Sequence, residues 1–202
     1  MDLSDRRLRR FFTRVSFESG GRLFGGFWQE LKKEQRKNII IDDEEAVSLD
    51  YSQMGPRILY GLCGTRPTNE DCYGIPGYER YRSRIKKVFN AMTFAEKPII
   101  RFPKGVKQMF KEDIRFQEVS VAIQRYHSGI AHKFFTGIGH YLQYQESQII
   151  IKVLLGLKDL GIHALPIHDA EVVGRSWVDM SKELMEQVFL DMTNVESWVQ
   201  VE

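Results

Sequence analysis

Cysteine is scarce. Cys63 and Cys72 are the only two among 202 residues. Two thiols cannot build a disulfide framework, so a reducing, cytoplasmic setting is expected. Long apolar runs are also lacking: the longest, residues 149–157, is broken by Lys152, which excludes a membrane span. The Arg-rich start has no apolar stretch behind it, so a secretory signal is not expected. Repeats, low-complexity tracts and a linker that would divide the chain are missing too. What is there is 43% hydrophobic and 28% charged, enough for one packed domain or a domain with a small appendage.

The net charge of +2 conceals an asymmetry. Residues 1–37 hold ten Lys/Arg against five Asp/Glu, and residues 80–115 hold eleven against three. Residues 169–202 reverse the balance, with two basic against eight acidic. Basic blocks interleaved with aromatics, such as Arg9-Arg10-Phe11-Phe12 and Tyr78 to Lys87, suit a phosphate-backbone binder. Solvated helix faces are the alternative.

Periodicity places the elements. Residues 3–15 read as a short basic helix, and Gly20 to Gly26 as a glycine-rich loop or irregular strand. The β-branched runs Lys37–Ile41 and Ala46–Leu49 flank Asp42-Asp43-Glu44-Glu45, which reads as a hairpin turn. A helix is expected over Arg57–Leu62, a loop over 64–77, a basic helix over Tyr78–Phe94 and a connector over 98–108. Helical spacing returns over Asp113–Phe135 and Gly139–Leu160. A second tight hairpin turns at His168-Asp169. A last amphipathic helix carries Met180, Leu184, Met185, Val188, Phe189 and Met192. The pattern is α+β: a small antiparallel sheet with packed helices. The pairs Phe11-Phe12 and Phe134-Phe135 read as core. His127 and His132, five apart, do not share a helical face for zinc.

Two aspartates each close an apolar strand: Asp50 after Ala46 to Leu49, and Asp169 after Ala164 to His168. If the two hairpins are sheet neighbours, the carboxylates come close together, which is costly unless cations bridge them. Two hard divalent ions on the order of 4 Å apart would meet that need and support phosphoryl transfer. Taken singly, each Asp reads more readily as a turn former.

Leu49-Asp50-Tyr51-Ser52-Gln53-Met54-Gly55-Pro56-Arg57 resembles motif A, DYSQ-I-E-L-R, of family A DNA polymerases. Gly21-Arg22-Leu23 is similar to that family's T-G-R-L element, which touches primer and template backbone. Gln29 and Arg36 fall where the family has Q-N-I-P-x-R, although the Asn-Ile-Pro is missing. Arg82, Lys86 and Phe94 match motif B, R-x3-K-x7-[YF]. Residues 139–152, with Gln143, Glu146 and Lys152, resemble the Q-G-x-A-A-D-x-x-K helix. Leu165 to Asp169 is similar to the V-H-D-E of motif C, with Ala170 in place of the Glu and Glu171 one place on. Together these elements stand in the family's order over roughly residues 20–175. Lys86 and Asn90 also fit a family B pattern, and single-subunit phage RNA polymerases share the palm.

The resemblance implies a palm-like sheet with abbreviated fingers, inserted at about 64–112 within residues 20–202. Residues 1–19 would form a basic helix in place of a thumb. It implies template-dependent nucleotidyl transfer with two Mg²⁺ ions, Mn²⁺ being a substitute. Asp50, Asp169 and the Tyr51 carbonyl would hold the metals. Arg82, Lys86, Gln53 and Phe94 would receive the nucleotide. Arg22, Arg36, Gln29, Gln143 and His168 would contact nucleic acid, His168 at the primer terminus. The implied partners are a DNA primer-template and dNTP, with RNA or NTP as alternates, and a protein that supplies the missing grip; no membrane is involved. Gly55 stands where motif A has a Glu that helps exclude ribonucleotides, and Asn90 replaces a motif B residue beside the sugar. The choice of sugar therefore stays open. A palm that binds without catalysing, and a template-independent transferase, are the competing readings.

Overall fold

The computed structural model describes residues 5–202. The chain is α+β, with antiparallel sheets and packed helices. It divides into two units: the residues up to Ile58 together with Leu142–Glu202, and Leu59–Tyr141. The second is wider than the insertion at 64–112 that the sequence suggested.

The first unit opens on a ribbon rather than the expected basic helix. Strand β1 (Arg9–Phe12) pairs antiparallel with β2 (Gly20–Phe24). Arg9 and Phe11 are exposed while Arg10 and Phe12 are half-buried, the period of two that a strand requires. Residues 3 and 4 of the expected helix lie outside the described residues. Two short helices follow, α1 (Phe27–Glu30) and α2 (Lys33–Arg36).

Strands β3 (Ile40–Ile41) and β4 (Glu44–Tyr51) form the first expected hairpin. Its turn residues Asp42 and Asp43 have φ of 51° and 65°, a left-handed turn that aspartate tolerates better than most residues. Helix α3 (Met54–Leu62) starts three residues earlier than expected, because Pro56 sits within its first turn, where no intrahelical N–H is needed.

In the second unit, a single 3₁₀ turn at Glu79–Tyr81 precedes α4 (Arg82–Phe94), which packs on α5 (Phe116–Tyr126). Helix α5 ends well before Phe135. The side chain of the residue that caps it, His127, is buried and bonded to the Cys72 carbonyl at 2.8 Å, and Ser128-Gly129 follows.

Helix α6 (Gly139–Asp159) leads back to the first unit. Strands β5 (Ala164–Ile167) and β6 (Ala170–Gly174) form the second hairpin, turning at His168 with φ 58°. The strand order is β3-β4-β6-β5, so the two hairpins are neighbours. Helix α7 (Val178–Thr193) packs against β4 and β6. Its Met185, Val188 and Phe189 are buried, but Met180 and Met192 are exposed. A final strand, β7 (Val199–Val201), pairs with Leu49–Tyr51 and was not expected. Alternation in β4 sends Val47, Leu49 and Tyr51 into the core, with Tyr51 against Phe189 at 5.4 Å between ring centroids. Ala46, Ser48 and Asp50 take the opposite, half-exposed face.

Candidate active site

Register decides what the two hairpins bring together. In the β4–β6 pair, Asp50 lies across from Ala170, the residue that follows Asp169. The Tyr51 N–H donates to the Asp169 carbonyl at 3.4 Å. Asp50 and Asp169 therefore stand at the same end of adjacent antiparallel strands, as the hairpin argument required. Directly opposed residues in such a pair have Cβ atoms about 4.5–5.5 Å apart, so Asp50 and the residue preceding its partner are close neighbours.

Glu171 is placed quite differently. It opposes Leu49, so its side chain shares the core face with Leu49 and is fully buried. Burial raises its carboxyl well above the usual carboxylate range. A carboxylate one place later in a strand points the other way, which separates Glu171 from the Asp50 face. Burial likewise lifts the Tyr51 phenol far above its ordinary value, with Glu171 and then Glu186 adding to it. The Tyr51 hydroxyl donates to the Met185 carbonyl at 2.6 Å, leaving its main chain as the part available to a ligand.

The donor set the resemblance implies here is two carboxylates and a main-chain oxygen. Hard oxygen donors suit Mg²⁺ or Mn²⁺ and not a soft metal. No group of three or more His, Cys, Asp or Glu side chains that could by itself hold a metal ion occurs among the described residues. An ion here would complete its shell with water and substrate oxygens, the usual habit of Mg²⁺. The residues present thus fit the group the resemblance implies.

Basic residues surround this face. Arg36, Lys33 and Lys37 line a shallow depression with Ala46, Ser48 and Val172, on the Asp50 side of the sheet. Arg22 donates to Glu146 of α6 at 2.5 Å. Gln143 lies on α6 one turn before Glu146. Gln29 is a tie-bar: its amide donates to the carbonyls of Leu23 and Pro166, both at 3.0 Å, and its oxygen accepts from the Gly25 N–H. The Trp28 indole donates to the same Pro166 carbonyl at 2.9 Å. These bonds fix the ribbon and α1 to the strand that ends in His168-Asp169. Partial burial holds the His168 imidazole below its usual value, with Arg22 acting in the same direction, Asp169 opposing and Arg36 lowering it further. His168 is therefore a neutral hydrogen-bonding group near pH 7.

The fold has a solved counterpart. The fold is similar to that of the POL domain of Pol1 from M. smegmatis, in complex with DNA primer-template and dNTP. The match has a TM-score of 0.56 and 16% identity, and takes in 95% of this chain and 46% of that one. This chain thus spans just under half the length of the polymerase chain it matches. No family model matches the chain, and no curated protein is similar to it in sequence.

Arg22, Gln29, Arg36, Asp50, Tyr51, Gln53, Gln143, His168 and Asp169 all lie in the first unit. Arg82, Lys86 and Phe94 lie in the second unit, on α4. There Arg82 donates from Nε and Nη2 to the two oxygens of Asp71, at 2.7 and 3.0 Å. Lys86 is exposed, its ammonium 6.0 Å from the Tyr73 ring centre. The Phe94 ring packs edge-on against His140 at 5.1 Å and occupies the space a side chain at Gly139 would need.

Glu146 and Asp71, the carboxylates that hold Arg22 and Arg82, were not singled out from sequence as partners. They lie 124 and 11 residues from those arginines, and only Asp71 is local enough to have been guessed. Gly55 adjoins the first of these pairs: a Cβ at that position would lie 3.4 Å from Glu146 Oε1. No helix among the described residues is long and apolar enough to cross a membrane.

Proposed function

We propose that this chain transfers nucleotides to a nucleic-acid 3′ end in a template-dependent, DNA polymerase-like reaction. The observation that carries this reading is the register that sets Asp50 opposite Ala170 and beside Asp169. The similarity of fold to a polymerase domain supports it. Asp50, Asp169 and the Tyr51 carbonyl would hold two Mg²⁺ ions, which lower the pKa of the attacking hydroxyl and offset charge on the leaving pyrophosphate.

The chain's own residues do the rest. The sheet holds both carboxylates on a rigid frame, so a bound strand end and triphosphate meet in a fixed orientation. Neutral His168 can donate to the sugar or base of the terminal nucleotide. Arg22 and Arg36 contribute positive charge for the strand backbone. Lys86 and Arg82 share one face of α4 at i, i+4 spacing, and would receive triphosphate oxygens, Arg82 in the bidentate manner it now uses on Asp71. Gly55 offers no side chain to a 2′-hydroxyl, so ribonucleotides are expected as substrates alongside deoxyribonucleotides.

Primer extension tests this with Mg²⁺ or Mn²⁺, with and without template, using dNTPs and then NTPs. Incorporation should follow the template, and Asp50→Asn and Asp169→Asn should each abolish it by several orders of magnitude while binding persists. Normal extension by both variants would overturn the metal assignment. Incorporation independent of the template would make the chain a terminal transferase. Wild-type binding without any incorporation would make it a binding palm.

A further inference from the structure

The β1–β2 ribbon carries an exposed aromatic row that ends at the candidate active site. Phe11 is 56% exposed and Phe24 is 38% exposed, unusual for phenylalanine in a strand. Their rings meet edge to face at 5.5 Å, and Phe24 meets the His168 ring at the same centroid distance. The row Phe11, Phe24, His168 therefore leads directly to Asp169. Arg9 lies opposite Phe24 in the ribbon register, and Arg22 lies opposite Phe11. The expectation that Phe11-Phe12 is core fails: Phe11 is exposed and Phe12 only half-buried.

The ribbon is anchored as a platform. Arg10 donates to the Gly21 carbonyl and to the Ser147 hydroxyl on α6, both at 3.0 Å. Its guanidinium also lies 4.7 Å from the Phe12 ring centre. Gly21, at φ +79°, lets these groups close up, since a Cβ there would sit 2.8 Å from Arg10 and 3.0 Å from Ser147. Charge on the ribbon is one-sided: Arg6, Arg7, Arg9 and Arg14 stand exposed against Asp5 and Glu18.

We propose that this ribbon is the element that grips nucleic acid. The strand ending at Asp169 would run along Phe11 and Phe24, its sugars and bases packed on the rings and its phosphates met by Arg9. The inference rests on the active-site reading above, which it deepens by assigning the grip to the ribbon. Phosphate is the occupant that one-sided positive charge selects, and aromatic faces in a basic track are how a strand is held without reading its sequence. Val15 and Phe17 in the turn between the strands are exposed as well, but the exposed arginines break up the apolar surface that a protein or lipid occupant would need to be continuous.

Fluorescence anisotropy tests it with a labelled primer-template and the same primer single-stranded, in EDTA without nucleotide. Phe11→Ala and Phe24→Ala should each weaken binding by roughly 5- to 100-fold with the salt dependence unchanged. Arg9→Ala should weaken it less and lower the salt slope by about 1. Phe11→Leu, which keeps an apolar side chain at an exposed position, should lose most of what Phe11→Ala loses. Ile40→Ala, another exposed apolar residue of this unit, should bind as the wild type does.

Ribbon variants that melt normally and bind like wild type overturn the proposal, even where the wild type extends primers. Weakened binding in these variants upholds it, even where Asp50→Asn extends normally and the catalytic reading falls. Equal loss in Ile40→Ala overturns it as well, because the effect is then not the ribbon's.

Discussion

The main-chain N–H of Tyr51 bonds the carbonyl of Asp169 at 3.4 Å, the last rung between two hairpins remote in sequence. Sheet register thus sets Asp50 and Asp169 at the same end of adjacent strands. A slip of one residue would turn Asp50 into the core and Leu49 out of it. Glu171 shows what that position means: a carboxyl on the core face is fully buried and held neutral.

Ala170 gives a direct assay for cation binding on the Asp50 face. Ala170→Glu places a third carboxylate opposite Asp50, and like charges in opposed positions cost about 0.2–1 kcal/mol. Its thermal midpoint in EDTA should fall below wild type, and millimolar Mg²⁺ should restore it by more than it raises the wild type. Insensitivity of both proteins to Mg²⁺ would remove the divalent ions from the scheme.

Glu171 is a stability cost that can be removed. Neither oxygen has a hydrogen-bond partner among the described residues. Residue 166, across the strand pair, is a proline without an N–H to offer. Glu171→Met should gain about 1–3 kcal/mol in urea unfolding at pH 7, the typical penalty of a buried unpaired polar group. The sign with pH follows from the raised pKa. Above about pH 4.5 the unfolded chain sheds this proton and the folded chain keeps it, so stability falls as pH rises. The gain from Glu171→Met should therefore widen from pH 5 to pH 8. The three tryptophans, Trp28, Trp177 and Trp198, all lie in this unit, so indole fluorescence follows the transition.

The two hairpins and their acids were legible because each is written locally: apolar β-branched residues, then two or three turn-forming ones. Their adjacency could be stated only as a condition, since pairing joins residues more than a hundred positions apart. The ribbon was misread as a helix because Arg9-Arg10-Phe11-Phe12 holds too few residues to separate a period of 2 from one of 3.6. Its strand character comes from pairing with Gly20–Phe24, a glycine-bearing segment with little strand propensity of its own. Strand β7 escaped for a similar reason: Val199-Gln200-Val201 is three residues long and gains its conformation from β4. Arg82 and Lys86 stood out by their resemblance to motif B, but the carboxylate that occupies Arg82 did not.

Asp71 competes for Arg82 with any incoming phosphate. Both oxygens of Asp71 are taken up by Arg82 Nε and Nη2, the same fork a phosphate would use. Asp71→Asn should release the guanidinium and lower the KM for nucleotide several-fold, with kcat little changed. The pair is about half exposed on both sides, so its loss should cost no more than about 1 kcal/mol of stability. Arg82→Lys should raise KM, since an ammonium cannot replace the fork. An unchanged KM in both variants would detach Arg82 from the nucleotide.

His127 makes the second unit sensitive to acid. Its Nε2 lies 2.8 Å from the Cys72 carbonyl, which can only accept, so Nε2 carries the proton. Nδ1 is then the acceptor for the Tyr60 hydroxyl, also at 2.8 Å. A second proton would have to displace the Tyr60 bond inside a core where His127 is 1% exposed. Burial accordingly lowers its pKa to about 4, against the opposing effect of the Cys72 carbonyl. The unfolded chain takes up this proton near pH 6.5, so stability is complete above that value and declines as pH falls toward 4. Between pH 7 and pH 5 the loss should reach about 2 kcal/mol. His127→Gln keeps a donor and an acceptor but has nothing to titrate, so it should be less stable at pH 7 and nearly flat over that interval. Six of the eight tyrosines and none of the tryptophans lie in this unit, so near-ultraviolet circular dichroism of tyrosine reports its unfolding separately. A tyrosine transition as pH-dependent in His127→Gln as in the wild type would assign the acid sensitivity to another group.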